Sequence, residues 1–342
     1  MHPQGASVRS AHWLIVALAL SACAPDPQES PQKRNTASPS TSSGSSTSSS
    51  TSTSTAATTT PQTTYDCTVA PDPGPFQIDS YDIHTQEDFD FSQSGFLIYQ
   101  ETSANAIVGV DKSNTLSVLS PGAAGDPRGI HGLSDGRIAI MSIWDGTINV
   151  ADPASGGIFA ITTGLDWPNG IDIGANDRLY FSTYGELGWT DIDGGNFQVV
   201  HTFGGNENGN GVALAPGETK LTVAVNQNYQ DTVFVSLELL GPDDWGNATI
   251  DHSINGFFSA IEYDICGNLY TVDYYSGALY RLKPDGVIEL LADLGPTGSY
   301  SAMRFGPGHS GWERDRLYVS RRSDEVYEVY IGIPGVPHPT TP

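Results

Sequence analysis

Basic residues are scarce in this sequence. Lysine and arginine together number 15 against 39 aspartates and glutamates, which gives a formal net charge of −24 at pH 7. Nucleic acids and anionic membrane surfaces would be repelled by such a chain. The composition therefore excludes both as partners. It indicates a soluble, acidic, exported protein, with a cation-collecting surface as the alternative.

Long apolar runs are also missing. The run at residues 13–20 follows Arg9 and holds about eight apolar residues, too few to cross a bilayer as a helix. A basic start, a short apolar core and a small-residue cleavage site are typical of a secretory signal. We therefore predict that residues 1–22 are a cleaved signal peptide.

The signal ends in Leu20-Ser21-Ala22-Cys23, which matches the bacterial lipobox. In that motif the cysteine becomes the lipidated first residue, so acyl chains on Cys23 would anchor the chain to a membrane. Ala24 follows rather than aspartate, which by resemblance to other lipoproteins indicates the outer membrane. The predicted location is the bacterial cell envelope, with membrane contact only through this lipid anchor.

Cysteine is rare, with three in 342 residues. Once Cys23 is assigned to lipid, Cys67 and Cys266 remain. In an oxidising export compartment two such cysteines predict one disulfide. Two free thiols are the alternative.

Residues 23–66 are dominated by serine, threonine and proline. Such a segment has too little apolar surface to offset the chain entropy lost on folding. We predict a disordered tether here, a globular domain at residues 67–337 and a short tail at 338–342.

The globular region repeats one pattern six times: a short strand with a polar first residue, a Gly/Asn/Asp turn, and a second strand. The copies begin 41, 41, 41, 49 and 42 residues apart, at Glu87, Arg128, Asn169, Asn210, Ser259 and Ser301. A period of about 40–45 residues with several strands per unit is the signature of a propeller blade. We predict an all-β, six-bladed β-propeller of four-stranded antiparallel blades.

The sixth repeat contains only three strands, while residues 76–83 form an extra one before the first repeat. We therefore predict that this N-terminal strand completes the last blade and closes the ring. Cys67 would then lie at the lower end of that strand, on the same side as Cys266 in blade five, which favours the disulfide.

Alternation places apolar side chains two and four positions after each strand opening, and these should form the core between blades. They are Phe89 and Phe91, Ile171 and Ile173, Val212 and Leu214, Ile261 and Tyr263, and Met303 and Phe305. The same alternation predicts that His131, Asp172 and Glu262, three positions into their strands, point away from the direction of the opening residues.

The six opening residues should converge at one end of the central channel. A carboxylate from Glu87 and amide oxygens from Asn169 and Asn210 would suit a hard divalent cation, Ca²⁺ or Mg²⁺. Such an ion polarises carbonyl groups and activates water. The alternative is that Asn-Gly simply opens a strand after a turn and that Glu87 is solvated.

Several stretches resemble the gluconolactonase, regucalcin and luciferin-regenerating family. They are Pro168-Asn169-Gly170, Asn210-Gly211-Val212 and residues 261–286 and 317–335, and the resemblance spans residues 76–337. It implies a six-bladed propeller holding one divalent cation through a glutamate and two asparagines, matched here by Glu87, Asn169 and Asn210. In that family an aspartate also binds the cation and serves as general base or acid, and Ser259 stands at that position here.

That replacement matters because a serine hydroxyl is neither a strong cation ligand nor a base near neutral pH. Loss of a proton acceptor costs about 10²–10⁴-fold in rate. The sequence therefore leaves the catalytic residue unassigned. Arg128, Ser259 and Ser301 remain as ligand-binding candidates, with neutralisation of Glu87 as the alternative role for Arg128.

Two functions stay open. One is a metal-dependent hydrolase of a small lactone or ester. The other is a non-enzymatic propeller, similar to the NHL and YWTD types, that binds a small ligand or an envelope protein. In either case we expect a monomer. Aromatic residues at Trp144, Tyr184 and Tyr274-Tyr275 would either line a sugar-binding mouth or pack between blades.

Overall fold

The computed structural model describes residues 65–69 and 76–337, apart from residues 102, 123, 124, 175, 176, 206, 229, 242 and 297. The signal peptide, Cys23, most of the tether and the tail lie outside these residues and remain predictions. In the ranges that are described, no helix is long and apolar enough to cross a membrane.

The described chain forms six antiparallel sheets, which are the blades of a propeller, and the predicted fold class is confirmed. A strand precedes the first repeat: β1 (Ile78–Tyr81). Blade 1 contains β2 (Asp90–Phe91), β3 (Leu97–Glu101), β4 (Ala106–Val110) and β5 (Leu116–Pro121). Blade 2 contains β6 (Pro127–Gly132), β7 (Ile138–Ser142), β8 (Thr147–Asp152) and β9 (Gly157–Thr163). Blade 3 contains β10 (Ile171–Ile173), β11 (Arg178–Ser182), β12 (Glu186–Asp191) and β13 (Gln198–Thr202).

The second half follows the same plan with one enlarged blade. Blade 4 contains β14 (Glu207–Leu214), β15 (Lys220–Gln227), β16 (Asp231–Gly241), β17 (Asp244–Trp245) and β18 (Thr249–Asn255), with a 3₁₀ turn at Pro216–Glu218. Blade 5 contains β19 (Phe258–Tyr263), β20 (Leu269–Asp273), β21 (Ala278–Leu282) and β22 (Ile288–Asp293). Blade 6 contains β23 (Tyr300–Phe305), β24 (Arg316–Arg321) and β25 (Val326–Tyr330). The long β16 and the added β17 account for the 49-residue spacing.

The ring closes through β1, as predicted. This strand pairs antiparallel with β25, with Ile78 opposite Val329 and Tyr81 opposite Val326. Next to it, Lys112 of blade 1 forms an ion pair with Glu328 of blade 6. The ammonium group also lies 4.4 Å from the ring centre of Trp312. The junction between blade 1 and blade 6 is therefore held by the pairing of β1 with β25. It is also held by the ammonium group of Lys112, which packs against an aromatic ring.

The predicted disulfide is confirmed between Cys67 and Cys266, whose Cα atoms are 5.5 Å apart. Cys266 lies in the turn between β19 and β20. The bond therefore ties the chain segment before β1 to blade 5, the neighbour of the blade that β1 completes.

The predicted core residues lie between the blades, as expected from alternation. All ten are at most 6% exposed. Glycines allow the inner strands to approach closely. A Cβ atom on Gly170 would lie 2.1 Å from the carbonyl oxygen of Asn210, and one on Gly211 would lie 2.3 Å from that of Ser259. The Asn-Gly pairs are thus required by the contact between blades, beyond any role in a turn.

The inner strands are not regular. Their pairing with the next strand shifts register at the opening residue itself, as between Pro127 and Gly129, between Phe258 and Ala260, and between Tyr300 and Ala302. The unpaired residues Arg128, Ser259 and Ser301 are therefore bulged. A bulge breaks the two-residue alternation and re-aims the side chains beyond it.

Candidate functional site

Four of the six strand-opening residues, Arg128, Asn169, Ser259 and Ser301, line a narrow cavity of about 20 Å³ at one end of the channel. This volume is enough for one water molecule or one small group. Its polar side chains come from five blades: Asp88, Arg128, Asn169, Ser259, Ser301 and Arg304. We call this space the mouth cavity.

Glu87 is engaged by two arginines. Its Oε1 lies 2.7 Å from a terminal nitrogen of Arg128, and its Oε2 lies 2.8 Å from Nε of Arg322. Arg128 also contacts Asp126 at 2.8 Å. Burial raises the pKa of Glu87, and the two guanidinium groups only partly offset this. For Arg128, burial lowers the pKa, but Glu87 and Asp126 outweigh it and raise the pKa.

Asn169 and Asn210 contact each other. The amide group of Asn169 donates a 2.5 Å hydrogen bond to Oδ1 of Asn210. One of the two amide oxygens is therefore occupied by the partner side chain.

Several polar atoms around the mouth lack partners. Among the described residues, no hydrogen bond reaches the hydroxyl groups of Ser259 and Ser301 or Nε of Arg128 and Arg304. All of these atoms are buried. A buried polar atom without a partner costs about 1–3 kcal/mol, so four of them around one cavity favour a ligand that would satisfy them.

A cation does not fit this arrangement of side chains. Both oxygens of Glu87 face guanidinium groups, and one of the two amide oxygens is taken. Among the described residues, the buried atoms without a hydrogen bond here include Nε of Arg128, Nε of Arg304 and Nδ2 of Asn210, which can only donate, and the hydroxyl groups of Ser259 and Ser301. Oε2 of Glu87 also lacks a hydrogen bond but lies 2.8 Å from Nε of Arg322 in an ion pair. Elsewhere in the described ranges, no group of three or more histidine, cysteine, aspartate or glutamate side chains is arranged to hold a metal ion.

A second ring of residues, five of them charged or titratable, lies next to the mouth cavity, and its member Arg304 also lines that cavity. It is formed by the residues three positions after each strand opening: Asp90, His131, Asp172, Ala213, Glu262 and Arg304. His131 bridges two carboxylates, with Nδ1 3.1 Å from Asp90 and Nε2 3.3 Å from Asp172. Arg304 lies 3.7 Å from Asp90 and 3.6 Å from Glu262.

This second ring corrects the prediction from alternation. His131, Asp172 and Glu262 were expected to point away from the opening residues, yet they meet residues of other blades beside the channel. For His131 and Glu262 the physical reason is the bulge at the strand opening, because an extra residue turns the third position inward. The pairing of β10 with β11, which includes Asp172, shows no register shift. The sequence did carry a signal, since five of the six repeats have a charged or titratable residue at this position.

Burial shifts the pKa values of carboxyl groups in this ring and of Asp88 next to it. Burial raises the pKa of Glu262 to about 8; Arg304 opposes the shift, while Asp172 and Asp90 add to it. Burial also raises the pKa of Asp88, to about 6, against the attraction of Arg304. For His131, burial lowers the pKa, but Asp90 and Asp172 outweigh it and raise the pKa.

The carboxylates also hold adjacent blades together. Asp88 accepts a 3.1 Å hydrogen bond from the backbone of Ile130, and Asp90 accepts one of 2.7 Å from that of Gly132. Asp172 accepts another of 2.7 Å from the backbone of Leu214. Each bond crosses from one inner strand to the next, so this ring stabilises the propeller whatever its chemical role.

Aromatic side chains surround the same end of the propeller. Trp144 is 63% exposed and packs edge-on against Trp167 at 5.2 Å. Tyr275 is 59% exposed and contacts Phe257 and Tyr274. Trp144, Tyr274 and Tyr275 are thus surface residues of the turns around the mouth. Tyr184, also in such a turn, is 38% exposed.

No family model matches the sequence, and no curated protein matches it either. Solved structures do match in fold. A gluconolactonase from Xanthomonas campestris aligns with a TM-score of 0.61 at 16% identity, covering 76% of this chain and 90% of that one. A luciferin-regenerating enzyme gives 0.61 at 14%, covering 77% and 98%. Regucalcin from Agrobacterium tumefaciens, a calcium-binding protein, gives 0.56 at 15%, covering 75% and 93%.

These likenesses confirm the resemblance predicted from the sequence at the level of the fold. The chain has a lactonase-like six-bladed propeller fold. At 14–16% identity the likeness establishes architecture alone, and one propeller architecture can carry many unrelated functions.

Proposed function

We propose that this protein is a ligand-binding propeller that takes a small molecule at its mouth cavity. The observation that carries this proposal is the set of buried, unpaired polar atoms on Arg128, Ser259, Ser301 and Arg304, all of which line that cavity. Unpaired donors of this kind are satisfied when a complementary ligand enters.

The test is a thermal-shift screen of small polar molecules against the full chain and Ser259→Leu. The added side chain fills the cavity, so ligands that stabilise the wild type should no longer stabilise the variant. Ser117→Leu, on the outer strand β5, is the matched control and should respond like the wild type. A screen in which every hit also stabilises Ser259→Leu would contradict the proposal.

A second candidate is the divalent-metal-dependent hydrolase of a small lactone or ester. It is favoured by one observation: Glu87, Asn169 and Asn210 occupy the same end of the channel, with Asn169 in contact with Asn210. Ca²⁺ or Mg²⁺ would have to displace Arg128 and Arg322 from Glu87. Calorimetric titration of both ions into the full chain and Glu87→Gln tests this, since binding that is lost in the variant would support the candidate.

We also propose that the protein is a monomer anchored in the bacterial outer membrane through lipid on Cys23. The support is the lipobox at residues 20–23 and the tether that follows. The anchor would keep a ligand-binding propeller in the envelope, where its partner is a small molecule or an envelope protein.

A further inference from the structure

The charges that border the mouth cavity indicate the class of ligand. Two guanidinium groups, those of Arg128 and Arg304, line the cavity, and only one carboxylate does, that of Asp88. The oxygens of Asp88 already accept hydrogen bonds from the backbone of Phe89 at 2.8 Å and Ile130 at 3.1 Å. Two arginines and one aspartate therefore line the cavity itself, while the carboxylates of Glu87 and Asp126 contact Arg128 without lining the cavity.

Arg304 is only partly satisfied by its neighbours. Nη1 donates a 3.0 Å hydrogen bond to the carbonyl oxygen of Met303, while Nε has no hydrogen-bond partner among the described residues. Its closest carboxylate contacts are 3.4 Å to Asp88, 3.6 Å to Glu262 and 3.7 Å to Asp90. A charge-assisted hydrogen bond between a guanidinium nitrogen and a carboxylate oxygen is typically about 2.7–2.9 Å long. The carboxylates around Arg304 therefore lie farther away than a normal hydrogen bond, and none of them satisfies Nε. The side chain is nevertheless buried, with 8% of the residue exposed.

We propose that the mouth cavity is a carboxylate site, in which Arg128 and Arg304 supply positive charge and Ser259 and Ser301 supply hydroxyl donors. This inference rests on the proposed ligand-binding function and names the chemical class of its ligand. The terminal nitrogens of Arg128 hold Glu87 and Asp126, and those of Arg304 contact Met303 and Asp88, so each guanidinium group offers Nε to the ligand. A charge-assisted hydrogen bond from each Nε to a carboxylate oxygen would be stronger than one between neutral groups. The four polar atoms without partners would each gain an acceptor when the acid group enters.

The size of the cavity limits what enters it. About 20 Å³ has room for about one water-sized group, such as an oxygen of an acid group, but not for a whole organic molecule. The rest of the ligand would lie outside, beside the aromatic residues of the surrounding turns. Trp167 and Phe257 come two residues before Asn169 and Ser259 in the sequence, so the walls of the cavity continue directly into this aromatic rim.

The test is calorimetric titration of the full chain with sodium acetate and sodium benzoate at constant ionic strength, with sodium chloride as the reference. Both acids should bind, benzoate more tightly because its ring reaches the rim. Arg128→Gln should weaken binding at least tenfold, and so should the double variant Ser259→Ala/Ser301→Ala. Arg128→Lys, which keeps the charge but lacks the Nε donor, should fall between wild type and Arg128→Gln.

Two matched controls separate binding from general effects. Arg137→Gln removes another arginine of blade 2 that pairs with an aspartate, Asp135. Ser320→Ala removes another buried hydroxyl that has no partner among the described residues, on β24. Both should bind acetate and benzoate within twofold of the wild type, and circular dichroism should show that every variant is folded.

A wrong ligand class and a wrong binding site would give different experimental results. If neither acid binds, or Arg128→Gln binds them as well as the wild type, the carboxylate assignment is wrong. A neutral compound whose binding Ser259→Leu abolishes would then leave the proposed function standing. If Ca²⁺ or Mg²⁺ binds instead and Glu87→Gln removes that binding, or if inorganic phosphate binds as tightly as acetate, the assignment is likewise overturned.

Discussion

Arg304 is the residue on which the charge balance inside the channel depends. It is buried and lies between Asp88, Asp90 and Glu262, three carboxylates from two blades. Removing one partner of a buried charge network leaves the others uncompensated.

Arg304→Met should lower the free energy of unfolding by about 3–5 kcal/mol, because buried carboxylates lose their counter-charge. Urea denaturation at neutral pH measures the change. Arg322→Met is the control: its side chain is 34% exposed and Glu87 keeps Arg128, so its cost should stay within about 1 kcal/mol. Equal effects of the two substitutions would contradict this account of the channel.

Glu262 should make stability depend on pH. Burial raises its pKa from 4.5 to about 8, so the folded protein holds a proton that the unfolded chain releases at lower pH. Its contribution to stability is therefore complete below pH 4.5 and is lost as pH rises to about 8. The groups that face it are Arg304, Asp172, Asp90 and His131.

Glu262→Gln should remove this dependence, so the stability of the variant relative to the wild type should rise between pH 5 and pH 8. Denaturant unfolding across that range measures it. Glu289→Gln is the control. Burial raises the pKa of Glu289, but Lys283 and Arg281 outweigh it and lower the pKa, so its contribution should be constant above pH 5. A flat difference for Glu262→Gln would show that its pKa is not raised.

The sequence predicted which residues open the inner strands, because the repeat places them in register, but it could not predict how their side chains pair. The contacts of Glu87 show why. Arg128 comes from the next repeat, and the sequence indicated neutralisation of Glu87 as one of its possible roles. Arg322, in contrast, lies in a turn of blade 6 outside the repeated pattern. Pairings of this kind depend on side-chain reach across the channel, which spacing alone does not encode.

At the scale of elements, the bulges in the inner strands decide which side chains face the channel. Alternation correctly predicted the apolar core at the second and fourth positions. It failed at the third position because the register shift occurs at the opening residue itself, as at Ser259 and Ser301. A bulge of a non-glycine residue leaves no clear mark in the sequence.

The closing strand and the disulfide act as one unit at the ring junction. The bond joins residues separated by 199 positions, and it fixes the chain just before β1. Cross-links that close long loops restrict the unfolded chain strongly.

Cys67→Ser should lower the free energy of unfolding by about 2–5 kcal/mol, because the unfolded chain gains conformational freedom. Cys266→Ser and the double variant should cost the same amount, since each removes the same bond. Adding reductant to the wild type should reproduce the loss and leave the double variant unchanged. Additive effects of the two single substitutions would contradict this assignment.

At the scale of the whole molecule, the charge distribution is uneven. The chain carries a net charge of −24, yet three of its 15 basic residues, Arg128, Arg304 and Arg322, are grouped at one end of the channel. They lie there among the carboxylates of Glu87, Asp88 and Asp126. Composition alone therefore gave no indication of an anion site. The acidic exterior also implies that any anionic ligand must be captured by short-range contacts, since the long-range field opposes its approach.

The predicted lipid anchor determines where the whole molecule is located. Cys23→Ser should move the protein from the membrane fraction to the soluble fraction of the envelope, because no acylation site remains at the lipobox. Fractionation followed by immunoblotting measures this. Ser21→Ala keeps the small residue and the cysteine, so it should stay with the membrane. Retention of Cys23→Ser in the membrane fraction would contradict the predicted anchor.

The most direct test of the central claim, that the mouth holds an oxygen anion through arginine and serine donors, is a crystal structure of the full chain grown with both 4-bromobenzoate and CaCl₂. The account predicts anomalous bromine density at the rim, with the carboxylate between Arg128, Arg304, Ser259 and Ser301. A calcium ion on Glu87, Asn169 and Asn210, with Arg128 and Arg322 displaced, would contradict it and support the hydrolase candidate.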